Sequence, residues 1–147
     1  MEYTYKYPRP AVTADCVVMT REKDARVLLV KRGRDPFKGM WALPGGFMEM
    51  DETTEECAIR ELQEETGLKV DEVFQVGAYS ALDRDPRHRT VSVAYIALVD
   101  KERPVKGQDD ADKAEWWSID SLPDLAFDHE EILQDALEIY ESILEDE

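Results

Sequence analysis

Cysteine is nearly absent from this chain. Cys16 and Cys57 are the only two, and each falls inside an expected regular element. That excludes a disulfide framework and makes a reduced, cytoplasmic setting the simplest reading. Long apolar runs are missing too. Nothing approaches the roughly 18 consecutive apolar residues of a membrane span, and the opening MEYTYKYPRP has no apolar segment of the secretory kind. Positive charge is scarce: 18 Lys and Arg against 34 Asp and Glu leave a formal charge of -16. Such a surface repels nucleic acid and anionic membranes. No Ser–His–Asp or Cys–His set is evident, and repeats and low-complexity linkers are lacking. What remains is a chain of 147 residues, read as a single domain over 1–147 with a proper core.

The elements can be placed in order. Residues 11–20 and 25–32 read as two valine- and leucine-rich strands joined in a hairpin by the charged turn Arg21–Asp24. Residues 33–46, with four glycines and two prolines, read as loop. A helix follows. Thr53 and Glu56 form its capping box, and Gly67 stands where a left-handed C-terminal cap belongs. Residues 70–80 and 90–99 read as strands, the second central, with a polar loop between them. A charged loop over 100–113 leads to a short strand, Glu115–Ile119. The chain closes in an amphipathic helix over 129–144, with Asp128 as its N-cap. Residues 1–9 form an extension or an added strand. The expected fold class is α/β, a mixed sheet packed between helices.

What is abundant is carboxylate, and it is concentrated. At 100° per residue, Glu61, Glu64 and Glu65 fall within an arc of about 100° on the first helix. Ala58, Ile59 and Leu62 point the other way, towards a core. Left alone, such a cluster repels itself, and at least one member should be hard to ionise. Magnesium prefers oxygen ligands and shares its shell with substrate phosphates, so the same cluster is a ligand set. Arg60 lies beside it, able to orient Glu52 or Glu61 by a bidentate contact. The competing reading is a solvated acidic face. It weakens because Gly46, Glu52, Arg60, Glu61, Glu64, Glu65 and Gly67 must all fall at their offsets. At one in ten per letter, seven agree by chance in roughly 10⁻⁷ of windows.

With those residues in view, the run from Gly46 to Leu68 resembles the signature box of the Nudix hydrolases at every fixed position. The resemblance extends from about residue 9 to about residue 133. It implies a Nudix-type α/β/α sandwich with a mixed central sheet. It also implies hydrolysis of a nucleoside diphosphate linked to another moiety, with Mg2+ or Mn2+. By the same resemblance Glu61, Glu64 and Glu65 bind the metal with the carbonyl of Gly46. Arg60 and Glu52 support them, and Glu61 also activates water.

Three further segments are similar to those of the ADP-ribose pyrophosphatase branch: Arg32–Phe37 running into Trp41–Gly46, Arg84–Arg87 with Pro86 as the branch's proline, and Leu125–His129. The expected substrate contacts are Arg84, Arg87, Phe37, Trp41 and Pro86, and Asp110 is the expected extra acidic ligand. The expected reaction converts ADP-ribose to AMP and ribose 5-phosphate. The alternatives are a pyrophosphatase of oxidised purine nucleoside triphosphates and a module that senses ADP-ribose without cleaving it. The expected partner is a small nucleotide, with no nucleic acid and no membrane. A homodimer is plausible by analogy. Tyr3, Tyr5 and Tyr7 are available to stack or to pair with a second copy. His129 is expected as a polar partner at the helix start, not as a metal ligand.

Overall fold

A computed structural model describes residues 2–146. Its elements are β1 (Ala11–Thr20), β2 (Arg26–Arg32), β3 (Trp41–Ala42), β4 (Gly45–Phe47), α1 (Thr54–Thr66), β5 (Phe74–Tyr79), β6 (Thr90–Val99), β7 (Ala111–Ser118) and α2 (His129–Glu145). The strands form one mixed sheet in the order β3-β2-β1-β6-β5, with β4 added on β1 and β7 on β2.

β1 and β6 run parallel along their whole length, from Ala11↔Thr90 to Thr20↔Val99. Both are buried on two faces, which is why each reads as nearly continuous apolar sequence. Alternation along β1 divides the core. Ala14, Cys16 and Val18 face α1 with Cys57, Ala58 and Leu62. Val17 and Met19 face α2 with Ile132, Leu133, Ala136 and Tyr140. The sheet is therefore the middle layer of an α/β/α sandwich. Trp116 and Trp117 straddle it, one packed on each side.

The expected hairpin holds only at its turn. β1 and β2 pair antiparallel at Met19↔Val27. Further along, β1 takes β4 instead, at Thr13↔Phe47, Ala14↔Gly46 and Asp15↔Gly45. β2 takes β3, at Val30↔Ala42 and Lys31↔Trp41. Segment 41–47, expected as loop, is thus a wedge that splits the two strands apart. Its glycines and Pro44 hid it, because extended segments of two or three residues leave no periodicity to read. β7 also starts earlier than expected, at Ala111. It lies on the outer edge of β2, where charged residues such as Lys113 and Glu115 are exposed and serve to blunt the edge.

α1 is capped as its sequence dictates. Thr53 and Glu56 complete the capping box, and Gly67 adopts φ 77° and donates to the Gln63 carbonyl. α2 is not capped by the Asp128 side chain; that carboxylate is held elsewhere, as described below. No added strand forms in residues 2–10. That segment is an extension with Tyr3, Tyr5 and Tyr7 exposed. Among the described residues, no helix is long and apolar enough to cross a membrane.

Candidate functional site

The gap that the wedge opens between β1 and β2 is a cavity of about 360 Å³, in the usual range for small-molecule sites. α1 supplies one wall. Glu65, only 9% exposed, accepts the Gly45 N–H on Oε1 at 2.8 Å. Burial, then the Glu61 and Asp15 charges, push its carboxyl up to about 8. Glu61 is raised too, again by burial first. Gly46 packs directly on it: a Cβ there would stand 2.5 Å from the Glu61 carboxyl carbon. The expectation that the cluster contains carboxylates hard to ionise is met, with burial as the larger cause.

Arg60 organises the outer side. Its Nε and Nη2 donate to Glu52 at 2.8 and 2.7 Å. Nη1 donates to Glu61 at 2.7 Å and to Glu64 at 3.1 Å, and Nη2 also reaches the Phe47 carbonyl at 3.2 Å. The Arg60 hydrogen bond holds Glu52 down at about 2. The three helix glutamates do not converge on one point. Among the described residues, no three acidic, thiol or imidazole groups are gathered as a ligand set. Glu61 and Glu65 face the cavity, while Glu64 lies at the rim against Arg60. The guanidinium occupies the charge-balancing position between Glu61 and Glu64.

The donor set still suits a hard divalent cation. It is made of oxygen, and two of its carboxyls are raised, by burial first and then by neighbouring carboxylates. Glu61, Glu65 and the Gly46 carbonyl are the groups that would hold it, with Glu64 at the rim.

The opposite wall is cationic and aromatic. Arg32 lies 4.9 Å from the Phe127 ring centroid, and Arg87 lies 5.2 Å from Phe47 and 5.8 Å from Phe127. Asp85 is buried, which alone would raise it, but the Arg87 side chain and backbone hold it near 2. Phe37, Asp109 and Phe127 take positive φ values of 61°, 54° and 54°. Such conformations are uncommon for residues with side chains, and all three lie around this cavity. The loop ahead of β7 is tied to the end of α1 by Lys106 N–H to Thr66 and Gln108 N–H to Glu65, at 3.1 and 2.9 Å. That brings Asp109 and Asp110 beside the glutamates.

Several expected contacts sit differently. Arg84 borders the cavity, but its charge is used in a bidentate pair with Asp128 at 2.9 and 2.6 Å. This is where the α2 N-cap carboxylate went. Pro86 is exposed and does not line the cavity. Phe37 lies behind the wall, edge-on to Phe127 at 4.8 Å. Trp41 belongs to the core and packs on Trp117 at 5.1 Å. Asp110 lines the cavity with its carboxylate paired to Arg34 at 3.1 Å. Arg87 lines it.

Sequence reasoning assigned no role to Asp15 or Phe47; Arg32 and Phe127 fell within segments similar to the ADP-ribose branch, and Asp109 beside the chosen Asp110, without roles of their own. A charged residue amid AVTADCVV was the available signal for Asp15. His129 is a buried polar partner as expected. Its Nδ1 accepts the Leu43 N–H at 3.0 Å, and burial lowers its pKa.

A family profile described as the NUDIX domain matches residues 9–136. An ADP-ribose pyrophosphatase of Methanocaldococcus jannaschii is 47% identical over 131 residues, covering 89% of this chain and 75% of that protein. The NUDIX domain of Shewanella oneidensis NrtR, crystallised with ADP ribose, superimposes with a TM-score of 0.86 at 32% identity, covering 94% of each chain. A bifunctional NMN adenylyltransferase/ADP ribose pyrophosphatase from Francisella tularensis, complexed with AMP and a Mn ion, gives 0.81 at 31%, covering 91% of this chain and 43% of that one. Further curated relatives are longer, and this chain spans 54% of one and 43% of another.

Proposed function

This chain belongs to the Nudix family, and on that footing we propose that it hydrolyses ADP-ribose to AMP and ribose 5-phosphate. The observation that carries the reading is one cavity with two chemistries. Glu61 and Glu65 stand against Gly45 and Gly46 on one wall, and Arg32 and Arg87 stand on the other. A diphosphate is a fourfold-oxygenated anion that resists hydroxide, so it needs cationic help on all sides. The relatives that carry or act on ADP-ribose make it the favoured member of the class.

Glu61, Glu64, Glu65 and the Gly46 carbonyl would hold Mg2+ or Mn2+, which would supply charge neutralisation at the diphosphate. Asp110 joins that set only by releasing Arg34. The rest is the work of the chain itself. The Gly45 N–H fixes the orientation of Glu65. Arg60 and Glu52 hold the Glu61 carboxylate against Gly46. Glu61 is the base for the attacking water, a role that suits a carboxyl of raised pKa. Arg32 and Arg87 bind the phosphate oxygens, and Phe47 and Phe127 give them an apolar backing.

We further read the whole chain, 1–147, as one cytoplasmic domain acting on small nucleotides and not on nucleic acid. The net charge of -16 and two unpaired cysteines support this. Homodimer formation belongs to the same reading, with the exposed tyrosines as its support.

Incubation with ADP-ribose and magnesium, followed by chromatography, tests the central claim; AMP is the expected product. Inorganic pyrophosphate from an oxidised purine triphosphate, with ADP-ribose untouched, would favour the sanitising alternative. Tight binding of ADP-ribose without product would favour the sensor.

A further inference from the structure

The floor of the cavity carries an arrangement that the reaction above does not use. Asp15 projects from β1 towards the α2 side, and His129 opens α2. Each is 5% exposed, and both line the cavity. Every other atom of the pair is committed. His129 Nδ1 accepts the Leu43 N–H, so the proton of the neutral ring sits on Nε2. Asp15 Oδ2 accepts the Ser92 hydroxyl.

What remains is one donor, Nε2–H, and one acceptor, Asp15 Oδ1, 3.8 Å apart. That is too far for a direct hydrogen bond. It is close enough for a single oxygen to reach both at about 2.8 Å. Among the described residues, neither atom has another hydrogen-bond partner. Neither is sealed from the cavity, since the fully buried side-chain atom without a partner among the described residues is Trp117 Nε1, so both stand open to a group that enters it.

A group that satisfies both must accept from one side and donate to the other. A phosphate oxygen only accepts and would be repelled by Asp15. A hydroxyl does both. Position narrows the choice further. Asp15 Oδ1 lies against Gly45, where an added Cβ would stand only 2.2 Å from it, and the Gly45 N–H holds Glu65. The pair is therefore next to the carboxylates that act on the diphosphate. A sugar attached directly to the diphosphate reaches that depth; a nucleobase lies one sugar further out.

The geometry points to Asp15 and His129 as a substrate-binding pair that recognises a hydroxyl of the sugar flanking the diphosphate. The inference rests on the reading of this cavity as a sugar-nucleotide site, and it makes the pair a determinant of substrate choice.

Three variants separate recognition from architecture. Asp15→Asn keeps the shape but removes the negative acceptor. His129→Asn keeps an oxygen near the Nδ1 position for Leu43 and loses the Nε2 donor. His129→Gln does the reverse. Each is assayed with ADP-ribose and with two analogues: one with an alkyl chain in place of the terminal sugar, and one with a 2′,3′-dideoxy adenosine.

Asp15→Asn and His129→Asn should raise KM for ADP-ribose about tenfold, the loss of one charge-assisted hydrogen bond, while kcat changes much less. The penalty should disappear with one of the two analogues. His129→Gln should lower the melting temperature and leave a smaller KM penalty. A penalty that persists with both analogues, one that disappears when adenine is replaced by hypoxanthine, or no penalty at all would overturn the assignment.

Calorimetric binding of ADP-ribose in EDTA asks the same question without turnover. A wild type that binds ADP-ribose here but releases no AMP once magnesium is supplied would defeat the hydrolase reading and leave this one intact, provided the variants bind about tenfold more weakly. Equal binding by wild type and variants, or no binding, would defeat it.

Discussion

Arg60 and Glu52 face each other through two parallel hydrogen bonds, Nε to Oε2 at 2.8 Å and Nη2 to Oε1 at 2.7 Å. The same guanidinium reaches Glu61 at 2.7 Å. Glu52 therefore fixes the arginine, and the arginine fixes a cavity carboxylate. Arg60→Lys keeps the charge but not the fork. It should lower kcat with ADP-ribose by about tenfold or more, and Glu52→Gln should act in the same direction. Wild-type turnover in both variants would remove this relay from the account.

Glu52 and Glu65 should give the metal-free protein opposite pH sensitivities. Glu52 is held down, from 4.5 to about 2. Its contribution is present above 4.5 and lost as pH falls towards 2. Glu65 is raised, from 4.5 to about 8. Its contribution is full below 4.5 and is lost as pH rises through 8, at about 1.4 kcal/mol per unit at most. Melting temperatures measured in EDTA across pH should fall on the alkaline side between those values. Glu65→Gln should flatten that limb, and manganese, by favouring the ionised carboxylate, should flatten it in the wild type. An alkaline limb unchanged in Glu65→Gln would show that another group carries it.

Turnover and stability should separate at the helix glutamates. Glu64→Gln and Glu65→Gln should each lower kcat by orders of magnitude. Glu64 lies at the exposed rim, so its variant should melt as the wild type does. Glu65→Gln should melt no lower than the wild type. Full activity in both would end the catalytic assignment of α1.

Two glycines are where they are because carboxylates touch them. An added Cβ would meet Asp15 Oδ1 at 2.2 Å at Gly45, and the Glu61 carboxyl carbon at 2.5 Å at Gly46. Gly45→Ala and Gly46→Ala should each cost at least about a hundredfold in kcat/KM, since small misplacements at a reacting centre have effects of this size. The assay is ADP-ribose hydrolysis with circular dichroism as the folding control. Retained activity in either would mean that the contact is dispensable.

Arg84 and Arg87, two arginines of one loop, should behave differently. Arg84 and Asp128 form a pair with side chains 4% and 17% exposed. Arg84→Ala leaves a carboxylate unpaired and should cost about 3 kcal/mol of stability, measured by urea unfolding. Arg87 is more open, at 36%. Arg87→Ala should mainly raise KM, with little change in the unfolding midpoint. The reverse pattern would exchange their roles.

The helix and its ligand-type face were legible in the sequence because local rules govern them: a capping box, a left-handed glycine and fixed spacing along one turn. The sandwich was legible because β1 and β6 carry the apolar signature of buried strands. What could not be read was whatever depends on distant pieces meeting. Arg32 and Phe127 lie far apart in the chain, yet they share a wall. Arg84 looked free for substrate because nothing local announces Asp128 as its partner. Trp41 sits beside the box in sequence, but the wedge turns it into the core against Trp117.

The wedge has one more implication. Where segment 41–47 pushes β1 and β2 apart, the sheet gives up direct strand-to-strand bonding, and only this short segment stitches the two halves. A molecule seated there acts as a second rivet across the seam. Occupancy should therefore be felt through the whole sheet, slowing amide exchange in the early part of β1 and along β2, well beyond the atoms it touches.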